Sequence, residues 1–264
     1  MSAALIEYAR KGQALHDVPV LDVHAHIDPL TDELRLPLEE HMAQMDRLGI
    51  DAALVSSSLA INGEIPKGND HVAEAAARYP GRIFGYCHVS SRYPDEIVHE
   101  LERCFANAIF RGIKVYQIGV DYDSPLFEPA WEFAAARRLP VLAHTWGGNV
   151  TGLDRAAEKH PDVPFLAAHT GSVFAYQPYI DAALRCPNLF LDLTYSREHT
   201  NMIEHIVATV GAHRLVWGSD VPCFSMAHQL GKILFARIPD SDKRRILFDN
   251  TARLFHLESM KRRA

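Results

Sequence analysis

The chain has little of what holds secreted or modular proteins together. Its four cysteines, Cys87, Cys104, Cys186 and Cys223, include no Cys-x-x-Cys pair, and no charged-then-apolar leader precedes them, which predicts reduced thiols and a cytoplasmic protein. Basic charge is also scarce: 27 Lys and Arg stand against 33 Asp and Glu, a formal charge of -6. A phosphate backbone or an anionic membrane finds no basic surface in such a chain, so nucleic acid and membrane are excluded as partners. Linkers, low-complexity tracts and charge blocks are missing too, which leaves no place for a second domain. Cys223 follows a motif treated below as catalytic, yet a thiol there is expected to be merely nearby, and it is given no role.

What is present reads as one folded, soluble domain over residues 1–264, with 48% hydrophobic and 23% charged residues. Short apolar runs rich in β-branched residues recur eight times: Val18 to Ile27, Ala52 to Ser57, Ile83 to Val89, Gly112 to Gln117, Pro140 to Thr145, Pro164 to His169, Leu189 to Thr194 and Leu215 to Ser219. The spacing leaves room for a strand, a helix and two short loops each time, the pattern of repeated βα units. Eight such units at a length near the ~250 residues of a closed barrel predict an α/β fold, a single-domain (β/α)8 TIM barrel. Helices are expected at Ser2 to Lys11, Leu38 to Leu48 ending on Gly49, Glu128 to Arg138, and Asp242 to Leu257. The stretches Leu59 to Asn69 and Gly119 to Asp123 read as loops.

In a barrel of this kind the chemistry sits where the strands' C-terminal ends open. The first run ends Asp22-Val-His24-Ala-His26, and strand alternation points both imidazoles the same way. The fifth run ends on His144, the sixth on His169, and the eighth runs through Gly218-Ser219 to Asp220. Three histidines and an aspartate, His24, His26, His144 and Asp220, suit a divalent metal, most of all Zn2+, with Fe2+, Mn2+ and Co2+ as competitors.

These motifs, with Gly112-Ile-Lys114, Ala168-His169-Thr170-Gly171, Val221-Pro222 and the ending Asn250-Thr-Ala-Arg253-Leu254-Phe, resemble the amidohydrolase superfamily, in its amidohydrolase-related (amidohydrolase 2) branch. The resemblance spans the chain. It implies a barrel hydrolase, lactonase or nonoxidative decarboxylase of small carbonyl compounds, with the metal on the residues matching His24, His26, His144 and Asp220. The sixth-strand histidine, here His169, is catalytic in many relatives and a ligand in two-metal members. In two-metal members a fourth-strand lysine becomes a carbamate that bridges the metals, which makes Lys114 a further candidate ligand. An unmodified ammonium beside a divalent cation is repelled, so Lys114 must be carbamylated, neutral, or paired with a carboxylate such as Asp22.

The expected activity is hydrolysis of an amide, ester or lactone by metal-activated water, with Asp220 moving the proton and His169 polarising the carbonyl. Nonoxidative decarboxylation of a small aromatic or unsaturated acid is the alternative on the same site, and a barrel that only binds is the third reading. Trp146, Tyr195 and Arg197 follow the fifth and seventh runs and are candidate substrate contacts. His88 ends the third run without an obvious partner and reads as a satisfied core residue, while the remaining histidines, His41 among them, read as surface groups. The expected partner is a small-molecule substrate; assembly into a homo-oligomer is left open.

Overall fold

The computed structural model describes residues 4–29, 31, 34–147, 150–171, 175–195 and 200–260. Eight parallel strands lie in sequence order: β1 Leu21–Ile27, β2 Ala52–Ser57, β3 Ile83–Val89, β4 Phe110–Val115, β5 Val141–Ala143, β6 Phe165–Ala167, β7 Leu189–Asp192 and β8 Leu215–Val216. The seam between the last and first strands is closed by backbone bonds from Val23 to Trp217 (3.1 Å), Asp220 to His24 (2.7 Å) and His26 to Val221 (2.8 Å). The result is the expected TIM barrel, a single domain.

The outer ring comprises α1 Leu5–Arg10, α2 Leu38–Leu48, α3 Ser58–Ile61, α4 Ile65–Arg78, α5 Ile97–Phe105, α6 Glu128–Arg137, α7 Leu153–Lys159, α8 Gln177–Arg185, α9 Met202–Val210 and α10 Met226–Phe235. After α11, Asp240–Arg244, one π-helical turn over Arg245–Asp249 leads into α12, Asn250–Leu254. The segment Leu59 to Asn69, expected as a loop, is instead helical except for the turn at Asn62, Gly63 and Glu64. Ser57 caps α3 by accepting from Leu59 and Ala60, and Pro66 sits in the first turn of α4, where a missing N–H costs nothing. Glycine ends α2 for a steric reason: Gly49 has φ 78°, and a Cβ there would lie 2.3 Å from the Leu15 carbonyl oxygen. None of the helices among the described residues is long and apolar enough to cross a membrane.

Strands buried on both faces split the core in two. Outward residues such as Val55, Cys87, Val115 and Val141 pack with the helices, whereas Leu21, Val23, Leu54, Tyr86, Leu142, Leu166, Phe190 and Val216 fill the barrel floor against Phe255 and Leu257. β1 needs a correction to reach the site. Simple alternation from Leu21 and Val23 would put Ala25 inside, but the pairing with β2 shifts between Asp22 and Ala25, and Ala25 packs outward while His24 and His26 face inward.

His41, read as a surface residue, is 1% exposed in α2, and burial pushes its imidazole down to about 4. An unfolded histidine takes its proton near 6.5, so the stability held by neutral His41 is complete above that pH and is lost as pH falls towards 4. His41→Leu should therefore flatten the decline of the melting temperature between pH 6.5 and 4 relative to the wild type, by a difference of order 3 kcal/mol across the window. Equal slopes would show that His41 is not held neutral. At the other end of the chain, Asn250 donates to the carbonyls of Ala212 (2.8 Å) and Leu215 (2.7 Å), binding the closing helix to the entry of β8. Asn250→Ala strands both buried oxygens, and thermal unfolding should show a loss of roughly 2–3 kcal/mol, with a melting temperature lower by about 5–10 °C.

Candidate metal centre

The inward positions at the C-terminal ends of the strands bring His24, His26, Lys114, His144 and Asp220 together with His169. Asp220 is the common point. Its Oδ1 lies 3.1 Å from His26 Nε2 and 3.4 Å from His24 Nε2, and its Oδ2 lies 3.9 Å from His169 Nδ1. His169 Nε2 in turn meets His144 Nδ1 at 3.2 Å. Two left-handed residues build this geometry, His169 with φ 61° and Asp220 with φ 55°. Leu166 in β6 and Ala168 just after it face inward, so the reversal at His169 is what lets the next residue also face the site. Gly218 is required beside them, because a Cβ there would lie 2.5 Å from His24 Cβ.

Each first-strand imidazole is oriented from behind. His24 Nδ1 donates to Asp192 Oδ2 at 2.7 Å, and Asp192 Oδ1 accepts from the Thr194 backbone at 3.0 Å and from its hydroxyl. His26 Nδ1 pairs with Ser56 Oγ at 3.0 Å. Both arrangements leave Nε2 for the site, the usual role of partners behind a metal-binding histidine. Lys114, fully buried, places Nζ 3.1 Å from His24 Nε2. It does not pair with Asp22, whose Oδ1 accepts from the backbones of His24 (3.1 Å) and Ser219 (2.9 Å).

Electrostatics keep these groups in ligand form. Burial, and then the Lys114 charge, hold His24 well below the ordinary imidazole range; burial and then His169 do the same for His144. His169 is pushed down to about 4, chiefly by burial. Burial alone would raise Asp220, but His169, His26 and Lys114 outweigh it and leave its carboxyl below the usual range. Burial also brings Lys114 down to about 8 and lifts Asp22 and Asp192 to about 7.

A divalent cation fits this chemistry. Donor atoms of His24, His26 and Asp220 all lie within 4.8 Å of one another, and His144 Nε2 and His169 Nδ1 are buried without hydrogen-bond partners. Neutral imidazoles, a carboxylate and no thiolate make a set for a borderline or hard divalent ion. A cavity of about 460 Å³ lies elsewhere, beside the end of β1 between Asp28, Leu36, His71 and Arg78, and holds none of these donors.

Around the mouth, Trp146 is 61% exposed and stands edge-on to His144, with centroids 4.7 Å apart. The Tyr195 ring is 5.9 Å from His169, and Arg197 lies outside the described residues. Sequence reasoning missed Tyr116, whose ring lies flat on His144 at 3.8 Å, and Asp192. Asp192 was within reach of the same reasoning, since it is the first polar residue of the seventh run and the last residue of β7. His88 was read as satisfied; it is buried, but neither ring nitrogen has a hydrogen-bond partner.

Comparison with known proteins bears on the activity. Gamma-resorcylate decarboxylase of Polaromonas sp. JS666 is 22% identical over 279 aligned residues, covering 83% of this chain and 85% of the relative. A dihydroxybenzoic acid decarboxylase from Polaromonas sp. JS666, solved with bound manganese and the inhibitor 2-nitroresorcinol, superposes with a TM-score of 0.74 at 18% identity over 92% of this chain and 98% of the other. The 5-carboxyvanillate decarboxylase of Novosphingobium aromaticivorans, complexed with manganese and 4-hydroxy-3-methoxy-5-nitrobenzoic acid, gives 0.75 at 17% identity over 93% and 99%. These relatives overturn the expected hydrolase in favour of its decarboxylating alternative, and the metal in these two structures is manganese where zinc was expected. The physical reason is that the strand-end donors serve both reactions, so they could not choose between them. The family profile described as Amidohydrolase matches residues 21–257, a span that holds all eight strands and every proposed ligand, and the chain belongs to that family.

Proposed function

We propose that the chain, acting as one domain over residues 1–264, is a metal-dependent nonoxidative decarboxylase of a small hydroxylated aromatic acid. The observation that carries this reading is the likeness to gamma-resorcylate decarboxylase over more than four-fifths of both chains, joined to a buried site with a carboxylate–imidazole pair under an aromatic rim. His24, His26, His144 and Asp220 would hold the cation, His24 through Nε2 because Nδ1 is committed to Asp192. A divalent cation there supplies a Lewis acid that orients the acid's oxygens and offsets their charge. Manganese is the favoured ion, since nitrogen and carboxylate donors accept it and two structural neighbours contain it.

Decarboxylation replaces a ring C–C bond by C–H. A proton adds to the ring carbon bearing the carboxylate, the C–C bond breaks, its electron pair returns to the ring and carbon dioxide leaves. The chain's task is to hold the ring and to bring one proton to carbon. Asp220 and His169 form the pair assigned to that proton, since both are buried, 3.9 Å apart, and joined through His169 to His144. Tyr116, Trp146 and Tyr195 offer ring faces and edges to a planar substrate, and Arg197 is retained as a contact for its acidic group.

Chain loaded with Mn2+ should release carbon dioxide from 2,6-dihydroxybenzoate in equimolar amount with the ring product, and a chelator should abolish the release. Full metal loading with no carbon dioxide from any of a panel of hydroxybenzoates and carboxylated methoxyphenols would refute the reading. Variants should divide the labour. His24→Ala should lose metal and activity together, and Asp220→Asn should lose much of both. His169→Asn should keep its metal while kcat falls by ~10² to 10⁴. Elemental analysis beside kcat decides the last point: metal loss in His169→Asn as complete as in His24→Ala would make His169 a ligand.

A further inference from the structure

His88, one residue before the end of β3, lies on the inner face of the barrel in register with Lys114 on β4. It is 1% exposed, and both of its ring nitrogens lack a hydrogen-bond partner. Buried polar groups are almost always paired, so one that is not calls for a cause. Its position is firmly set nonetheless. Asn69, itself fully buried, accepts from the His88 N–H at 2.9 Å and donates to the His88 carbonyl at 3.0 Å, and Glu100 holds the same amide at 2.7 Å. These bonds fix the backbone of His88, and with it the point from which an imidazole with two unused nitrogens extends.

Lys114 supplies the use. Its amine donates to His24 Nε2 at 3.1 Å, and with Nδ1 bound to Asp192 that is the only lone pair His24 can offer a cation. One lone pair cannot serve both. Binding of a cation therefore deprives Lys114 of its acceptor and repels its charge. Of the carboxylates, Asp192 is held by His24 and Thr194 and Asp220 by the proposed ligand set, while Asp22 keeps Oδ2 unpartnered but is turned through Oδ1 to the backbones of His24 and Ser219 and does not act on Lys114. The other unpartnered ring nitrogens, His144 Nε2 and His169 Nδ1, face the proposed ligand set and Asp220, which leaves His88, the strand neighbour paired in register with Lys114.

We propose that His88 is the second seat of Lys114: the amine rests on His24 when no cation is bound, and passes to a ring nitrogen of His88 when a divalent cation takes His24. His88 is then a positioning residue for the metal centre. The inference rests on the proposed metal site and not on the proposed substrate.

The test is a metal-binding cycle, with the dissociation constant for Mn2+ alone read by competition with a chromophoric chelator. His88→Leu should weaken binding by about 10- to 100-fold, the usual effect of losing a partner behind a metal site. Lys114→Met should bind at least as tightly as the wild type, and the double variant should match Lys114→Met, because without the amine there is nothing to seat. His88→Gln, which keeps an acceptor, should stay near the wild-type value. Metal-free His88→Leu should melt no lower than the wild type, since it removes an unpaired buried group. Wild-type affinity in His88→Leu, a double variant as weak as His88→Leu, or metal loss in Lys114→Met would each overturn the proposal, the last by making the lysine a ligand through its carbamate. Absence of carbon dioxide release would count against the decarboxylase reading and leave this result untouched.

Discussion

The seam between β8 and β1 is the constraint on which the structure turns. The backbone of Asp220 donates to the carbonyl of His24 at 2.7 Å, and the side chains of the same two residues meet 3.4 Å apart inside the barrel. Closing the sheet and assembling the site are therefore one event. The fit is tight, which is why Gly218 lies against His24, why the register of β1 shifts after Asp22, and why Asp220 adopts a left-handed backbone. A barrel with its edges apart would hold these residues on opposite borders of an open sheet.

The two halves of the barrel interior follow different physics. The floor is apolar and supplies burial, the main favourable contribution to folding. The upper layer carries His24, Lys114, Asp192 and Asp220, all buried, where charge is disfavoured and unmet hydrogen bonds are costly. The protein tolerates this because strands packed on the floor and clamped by bonds such as those of Asn69 and Asn250 leave the polar layer no freedom to collapse. Neutral imidazoles with lone pairs turned inward are the outcome of that burial, and they are also what a cation requires.

Much of this was legible in the residues. Eight β-branched runs at regular spacing marked the barrel, and the polar residues at or beside the ends of several, among them His26, His144, His169 and Asp220, marked the positions where side chains would converge. β2 and β3 match their apolar runs to the residue, and α2 matches its helical pattern, because a strand buried on both faces and a helix ended by glycine leave clear marks. Other features left weaker marks or none. Asp192 was within reach of the reasoning used for His144 and Asp220, but α3 and α4 lay in a stretch whose Gly63 and Pro66 imitate a loop. The reaction itself left no mark, since the donors that serve hydrolysis serve decarboxylation as well.

The sequence by itself determined the fold class, the family and the residue types that face the mouth, because strand alternation and the periodic return of apolar runs are local properties written along the chain. The tertiary structure alone decided who touches whom. His41 is buried, Lys114 rests on His24 rather than Asp22, Tyr116 lies flat on His144, and His88 is left without a partner. Each of these depends on side chains from strands or helices that are remote in sequence and on a volume from which water is excluded. Pairing and desolvation are properties of that shared space, and no local pattern along the chain encodes them.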